Sequence, residues 1–279
     1  MKRELRNARV LLTGASGGLG AALARELAAK GARLMLTGRS AERLREVARS
    51  VETSTETHIL VADLTHAADR KSLVHSCFDK FGGLDVLINN AGIGARGLFE
   101  NSSPDVLRKT MEVNFFAAAE LIRDCLDLLV NGENPIIVNI CSASGRRGFP
   151  VRSEYCASKF ALAGLSEVLR AELAIHGIDV LIVSPGHIRT EFHKHFIANT
   201  TQAGRTGRMH ARGVPPEQAA AKIIRAIEKG KHEVVFPFKI WLTLLVNRLF
   251  PRIVDYFTAR HCKRHYAAES NLHKQGTAG

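Results

Sequence analysis

The sequence predicts a single doubly wound α/β domain, with one parallel sheet of about seven strands, helices on both faces and a C-terminal helical extension. Three observations carry that expectation. Short runs of Val, Ile and Leu recur along the chain with little polar interruption, the pattern of strands buried on both faces. Stretches of helical periodicity separate them, as the crossovers between parallel neighbours require. A glycine cluster closes the first run where the first helix begins.

The elements follow in order. "ARVLLTG" (8–14) is the first strand, and Leu19, Leu23 and Leu27 then mark one face of a helix. "ARLMLTG" (32–38) repeats the strand pattern, and "AERLREVARSV" (41–51) is amphipathic at helical spacing. "HILVADL" (58–64), "LDVLINNAG" (84–92), "NPIIVNICS" (134–142) and "IDVLIVSPG" (178–186) read as four further buried strands. A long helix is expected over "SEYCASKFALAGLSEVLRAELA" (153–174), and another over "PPEQAAAKIIRAIEKG" (215–230). "HEVVFP" (232–237) supplies the seventh strand. Ligands of such sheets sit beyond the carboxyl ends of the strands. Gly14, Arg39, Asp63, Asn89, Ser142 and Pro185 fall there.

No linker, low-complexity run or internal repeat divides the 279 residues. One domain over 1–238 is expected, with 239–279 as an apolar and basic extension rather than an independent unit. At 46% hydrophobic and 24% charged residues, the chain has the composition of a soluble globular protein. Five scattered cysteines without a C-x-x-C fit a reducing, cytoplasmic setting, and no ligand spacing for a metal appears. The N-terminal stretch lacks the apolar core of a signal peptide, and no apolar run approaches the roughly 18 residues that span a bilayer. The net charge of +12 is uneven: residues 1–9 carry +3, 187–212 carry +4 and 239–279 carry +5, which leaves the remainder neutral. A neutral body with basic extremities is not the footprint of a nucleic-acid-binding protein.

"TGASGGLG" (13–20) joins the first strand to the first helix. Gly14 permits a sharp turn, while Gly18 and Gly20 remove side chains where a pyrophosphate must approach the backbone. The helix N-terminus then offers unpaired N–H groups to the anion. The spacing is G-x-x-x-G-x-G, which departs from G-x-G-x-x-G and lacks the lysine of a P-loop. The second strand ends "LTGRS", so Arg39 and Ser40 stand where an NAD site places a carboxylate. The fork of donors on an arginine matches a 2′-phosphate. NADP(H) is therefore expected in preference to NAD(H).

Tyr155 and Lys159 are four apart on the long helix and face the same way, their Cβ atoms about 5–6 Å from each other. With the glycine turn, Asp63, "NNAG" (89–92), Asn114 in "MEVNFF", Ser142 thirteen residues before Tyr155, and "PGHIRT" (185–190), they form an ordered set of motifs. Over about residues 8–238 the chain resembles the short-chain dehydrogenase/reductase superfamily, in an NADP-preferring form with an extended C-terminus. The chemistry fits the pair. Hydride transfer to a ketone requires a proton for the alkoxide, and a phenol near pKa 10 needs help to exchange one at neutral pH. Lys159 is expected to lower the pKa of Tyr155 by its charge.

The resemblance implies a Rossmann-like fold and catalytic roles for Ser142, Tyr155, Lys159 and Asn114. Ser142 would orient the substrate oxygen, Lys159 would also bind the nicotinamide ribose, and Asn114 would hold a water in a proton relay. It implies cofactor contacts from Gly14, Ser16, Gly18, Leu19, Gly20, Arg39, Asp63, Leu64, Asn89, Asn90, Ala91, Gly92, Pro185, Gly186, Ile188 and Thr190, together with Tyr155 and Lys159. Asp63 would meet the adenine. Cys141 and Cys156, beside catalytic positions, read as packing. Residues 191–213 lie where the family closes a lid; Gly204, Gly207 and Gly213 would let it move, while Phe192, Phe196 and Met209 could line an apolar pocket. Its basic residues read as solvated, or as greeting an acidic substrate or carrier.

"FKIWLTLLVNRLFPRIVDYFTARHCKRHY" (238–266) is apolar, interrupted by Pro251, and then basic. It suits core packing, a subunit contact or a membrane surface. The expected activity is hydride transfer between NADP(H) and a carbonyl or secondary alcohol of a small or lipid-like (steroid, retinoid, fatty) substrate. The alternatives are a 3-oxoacyl-thioester reductase and a non-catalytic dinucleotide sensor or scaffold. A homodimer or homotetramer is expected from the family, with peripheral membrane contact through the extension and no nucleic-acid partner.

Overall fold

A computed structural model describes residues 3–192, 196–198 and 213–276. Seven parallel strands form its sheet: β1 (Arg9–Thr13), β2 (Arg33–Gly38), β3 (Thr57–Val61), β4 (Val86–Asn89), β5 (Ile136–Ile140), β6 (Asp179–Pro185) and β7 (Glu233–Phe236). The order across the sheet is β3-β2-β1-β4-β5-β6-β7. The chain therefore winds outward from β1 one way and from β4 the other. The crevice at that reversal is where an open α/β sheet binds its ligand.

The unbroken apolar runs have a plain cause. Val10, Leu12, Leu34, Leu36, Val86 and Ile88 face one side, packed with the helices α1 (Gly18–Ala29), α2 (Ala41–Arg49) and α8 (Pro216–Glu228). Leu11, Met35, Leu87, Ile137 and Val180 face the other. They meet α3 (Ala67–Phe81), α5 (Ala117–Asp124) and the short α6 (Leu126–Val130). Each successive side chain is buried because each face is covered. The expected strands matched these positions, although β4 stops at Asn89 rather than 92, because Asn90 and Ala91 turn away to bond Thr13.

Two helices complete the frame of the site. α4 (Pro104–Met111) passes into α5 through a π-helical turn, Glu112–Phe116. α7 (Ser153–Glu172) runs for 20 residues and carries Tyr155 and Lys159 in its first two turns. A two-residue pairing of Ala95–Arg96 with Ile197–Ala198 lies outside the main sheet.

At the foot of the sheet Asp85 accepts from the Arg9 backbone (2.8 Å), from Arg9 Nε (3.0 Å) and Nη2 (2.6 Å), and from the Glu133 backbone (2.7 Å). Burial pushes this carboxyl up, but those donors outweigh it and hold it below the usual range.

Beyond β7 the chain forms α9 (Phe238–Leu249) and α10 (Pro251–Gly276). No residue of α9 is buried, and Phe238 is 72% exposed, Trp241 45% and Phe257 of α10 64%. This extension does not finish the core. Among the described residues no helix is long and apolar enough to cross a membrane.

Candidate active site

The carboxyl ends of β1 and β4 are locked together before any ligand is considered. The Thr13 hydroxyl accepts from the Asn90 and Ala91 backbone N–H groups at 2.9 and 3.0 Å, and itself donates to the Ile88 carbonyl. The Asn90 side-chain amide donates to the Thr13 and Gly14 carbonyls. Gly14 turns here at φ 62°, and a Cβ on it would lie 2.9 Å from Ala91 Cα. A Cβ on Gly20 would overlap the Gly14 carbonyl oxygen and sit 2.9 Å from Asn90 Nδ2. The glycines are thus required by backbone packing as well as by the open face they leave.

That face belongs to a cleft of about 820 Å³ along the carboxyl ends of the strands. Gly14, Ser16, Gly18, Leu19 and Gly20 line it, with Arg39, Asp63, Leu64, Asn90, Ala91 and Gly92. Ser142, Tyr155 and Lys159 line its other half, with Pro185, Gly186, Ile188 and Thr190. Residues at the ends of six of the seven strands, all but β7, therefore converge on one cavity. Asn89 does not. Its side chain is buried within the sheet and donates to Asn139 at 2.9 Å, so the cofactor side falls to its neighbour Asn90. A strand sends successive side chains to opposite faces, and position 89 points into the layer below.

At the β2 end, Ser40 caps α2 by accepting from the Arg43 backbone N–H. Arg39 and Arg43 are both exposed and both line the cleft. Arg43 lies in the first turn of α2, where nothing in the local pattern marks it off from the other exposed charges of that helix. Burial pushes the Asp63 carboxyl up, but hydrogen bonds from the Thr65 backbone and hydroxyl, with the nearby charge of Arg39, hold it below its ordinary value.

The other half carries the reactive groups. Ser142 opens a short turn, Ala143–Gly145, and its Oγ accepts from the Ser144 backbone N–H at 3.1 Å. The capping role and the site role therefore coexist: the cap fixes Oγ, and Ser142 lines the cleft with Tyr155. Lys159 is almost fully buried and donates to the Ile140 carbonyl at 2.9 Å; desolvation pushes its pKa down. Tyr155 departs from expectation. Burial pushes its phenol up, outweighing the Ser142 hydrogen bond and the charge of Arg152, which pull it down. The protein alone keeps this tyrosine protonated.

Asn114 sits in the π-helical turn and is buried. Its Oδ1 accepts from the Ile93 backbone at 2.8 Å, and its Nδ2 donates to the Ile93 carbonyl and to Ser158 Oγ. Both amide hydrogens are thus occupied within the protein. π turns interrupt helices most often at functional sites, because one extra residue re-aims the groups around it.

Cys141 and Cys156 are buried, and burial pushes the Cys141 thiol up to about 11, as suits packing. Phe192 and Phe196 line the cleft, their rings 5.5 Å apart, and a Cβ on Gly213 would lie 2.8 Å from the His187 ring. Gly204, Gly207 and Met209 of the expected lid lie outside the described residues. Arg96 and Arg152 also line the cleft and carried no local signal. Only the tertiary pairing of Gly97 with Arg152 brings their segments together.

Residues 8–201 match the family model described as short chain dehydrogenase. The chain is 36% identical over 267 residues to dehydrogenase/reductase SDR family member 7B of Bos taurus, covering 91% of this chain and 82% of that protein. It is 34% identical over 248 residues to dehydrogenase/reductase SDR family protein 7-like of Anopheles gambiae, covering 84% and 78%. Among solved structures, a short-chain dehydrogenase from Streptomyces avermitilis superposes with a TM-score of 0.77 at 29% identity, covering 92% of this chain and 98% of that one. A short-chain dehydrogenase/reductase from Burkholderia phymatum, solved in complex with NAD, superposes at 0.81 and 23% identity, covering 90% and 96%.

Proposed function

The chain belongs to the short-chain dehydrogenase/reductase family, and from that premise we propose that it is an NADP(H)-dependent oxidoreductase acting on the carbonyl or secondary alcohol of a lipid-like substrate. The observation that carries this reading is the meeting of Ser142, Tyr155 and Lys159 in one cleft with the glycine turn. The cleft fits a dinucleotide. The glycines leave the turn backbone bare at one point, and Arg39, Ser40 and Arg43 form a basic end suited to a 2′-phosphate. Gly14, Ser16, Gly18, Leu19, Gly20, Asn90, Ala91, Gly92, Ile188 and Thr190 would hold the rest, with Asp63 and Leu64 at the adenine.

Bound NADPH supplies the hydride. The protein supplies the proton and the geometry. Ser142, its Oγ fixed by the Ser144 N–H, holds the substrate oxygen beside the Tyr155 hydroxyl. The raised pKa of Tyr155 keeps the proton in place until an alkoxide develops to receive it. Lys159, held by the Ile140 carbonyl, sets positive charge against the phenolate that remains. Asn114 anchors the Ile93 backbone and Ser158. A relay water would therefore use its main-chain groups rather than its amide hydrogens.

The extension supports the lipid-like class. A Cβ on Gly186, a cleft residue, would lie 2.7 Å from Ile240 of α9, and Arg147 pairs with Asp255 of α10. Trp241, Leu245, Phe250 and Phe257 are exposed on the same stretch of chain, from 239 to 260, that carries the exposed Lys239, Arg248, Arg252 and Arg260. Apolar groups mixed with cations suit an anionic bilayer surface, from which an apolar substrate would enter. The five free cysteines accord with a reducing, cytoplasmic compartment facing that surface. Exposed Phe116, at the end of the π turn, and Phe160 and Val168 on α7 fit a dimer or tetramer joined through those helices.

NADPH oxidation measured against ketosteroids, retinal, acetoacetyl thioesters and simple aldehydes tests the activity. Turnover of one lipid-like ketone, lost in Tyr155→Phe while NADPH still binds, is expected. Turnover undiminished by that change would remove the tyrosine from the chemistry.

A further inference from the structure

The charges lining the cleft are lopsided. Arg39, Arg43, Arg96, Arg152, Lys159 and Arg189 contribute to its wall, against Asp63 and Glu191. The proposed function uses Arg39 and Arg43 at the cofactor 2′-phosphate, and Lys159 beside the catalytic tyrosine. Besides Arg189 on the loop after β6, Arg96 and Arg152 are left without a task. Neither side chain makes a salt bridge or hydrogen bond among the described residues, although both are half-buried. Glu154, the nearest acid in sequence to Arg152, is buried and does not line the cleft.

Their position is built rather than incidental. Val151 sits at φ 59°, a left-handed conformation that strains a β-branched residue. That bend lets the Val151 carbonyl accept from the Gly97 N–H at 3.0 Å, and Gly97 and Arg152 pair as a parallel bridge. The bridge brings the segment that carries Arg96 to the segment that carries Arg152, and both residues line the cleft. Arg152 directly precedes α7 and lies close enough to Tyr155 for its charge to act on the phenol. Strain of this kind persists where surrounding structure holds it, commonly at ligand clamps. Around the pair, Ile93, Val113, Ala117, Phe192 and Phe196 give the same half of the cleft an apolar wall.

We propose that Arg96 and Arg152 form an anion subsite next to the reacting carbonyl, so that the substrate is a ketone with an apolar body and a carboxylate or phosphate group. This rests on the oxidoreductase reading for the word ketone, but not for the anion. Two unpaired guanidinium groups in a half-buried cleft are a match for a planar or tetrahedral oxyanion, which each can grip by paired N–H donors. The same subsite disfavours an uncharged analogue, because binding it would bury both cations without a partner.

The test uses the full chain with saturating NADPH and two readouts. The first compares kcat/KM for three ketones of equal chain length: a keto acid, its methyl ester, and a keto phosphate ester. At low salt the charged ketones should exceed the ester at least tenfold. Arg96→Gln should reduce that ratio at least tenfold, chiefly through KM, and Arg96→Lys should restore part of it. Preference for the acid or for the phosphate distinguishes the two anions. An ester turned over as well as the charged ketones would overturn the proposal. The second readout is calorimetric binding of octanoate, octyl phosphate and octanol, which requires no turnover. Tighter binding of the anions, lost in the Arg96→Gln/Arg152→Gln double variant, is expected; equal affinities, or anion binding that survives in that variant, would refute the subsite. If the anions bind as expected while no ketone is reduced, the oxidoreductase reading fails and the subsite stands.

Discussion

Gly20→Ala sets two physical effects against each other with known signs. Gly20 lies inside α1, where alanine is favoured over glycine by about 0.8–1.0 kcal/mol on helix propensity alone. Packing opposes this. The new Cβ would overlap the Gly14 carbonyl oxygen and lie 2.9 Å from both its carbon and Asn90 Nδ2. All three atoms belong to the lock between β1 and β4, so none is the free end of a flexible chain. Restoring ordinary contact requires α1 or the turn to move by about an ångström, and overpacking of that kind costs about 1–3 kcal/mol or more. Backbone overlap places this case at the upper end, for a net loss near 2 kcal/mol after the propensity gain. In a domain of this size that is a fall in Tm of roughly 4–8 °C. Gly17→Ala is the control, since a Cβ there meets nothing within 4 Å. Melting curves of both variants, with NADPH titration by fluorescence, should show a destabilised Gly20→Ala with weakened nucleotide binding beside a Gly17→Ala that melts normally. A Gly20→Ala protein that melts higher than the parent would refute the reasoning.

Three further outcomes are expected. Arg39→Asp should cost NADPH about ten- to a hundredfold in affinity and bring NADH level with it or ahead, read by fluorescence titration; equal affinities in the unmodified protein would remove Arg39 from the phosphate site. Asp85→Asn, which leaves the largely buried Arg9 without its charge partner, should cost about 3–5 kcal/mol at neutral pH in urea melts. The folded pKa of Asp85 is depressed, so its contribution is present above the unfolded value near 3.9 and is lost as pH falls through the lower folded one. The gap between parent and variant should therefore close below about pH 4, and a gap constant across that range would contradict the ion pair. Trp241→Glu with Phe257→Glu should leave the melt within about 0.5 kcal/mol, because both side chains are exposed, yet abolish sedimentation with anionic vesicles. Unchanged sedimentation would end the membrane reading, and a drop to a smaller oligomer would assign the surface to a subunit contact.

The sequence alone determined the sheet, its parallel sense and the cleft's two ends, because each rests on local pattern. Strands buried on both faces must be apolar throughout, so β1 to β7 announce themselves, and a turn as tight as Gly14 to Gly20 must be written in glycine. Tyr155 and Lys159 declare a shared helix face by spacing alone. Tertiary structure decided what depends on neighbours distant in the chain. Asn89 and Asn90 look alike as letters, and only the direction of β4 sends one into the sheet toward Asn139 and the other to Thr13. The sign of the Tyr155 shift came from burial, which spacing cannot report. The extension's composition fitted a core equally well until α9 proved to bury none of its residues. Arg96 and Arg152, 56 positions apart, come to line one cleft where the Val151 carbonyl accepts from Gly97. Local periodicity is fixed by the order of residues, whereas burial and charge balance arise only when separate segments share one volume.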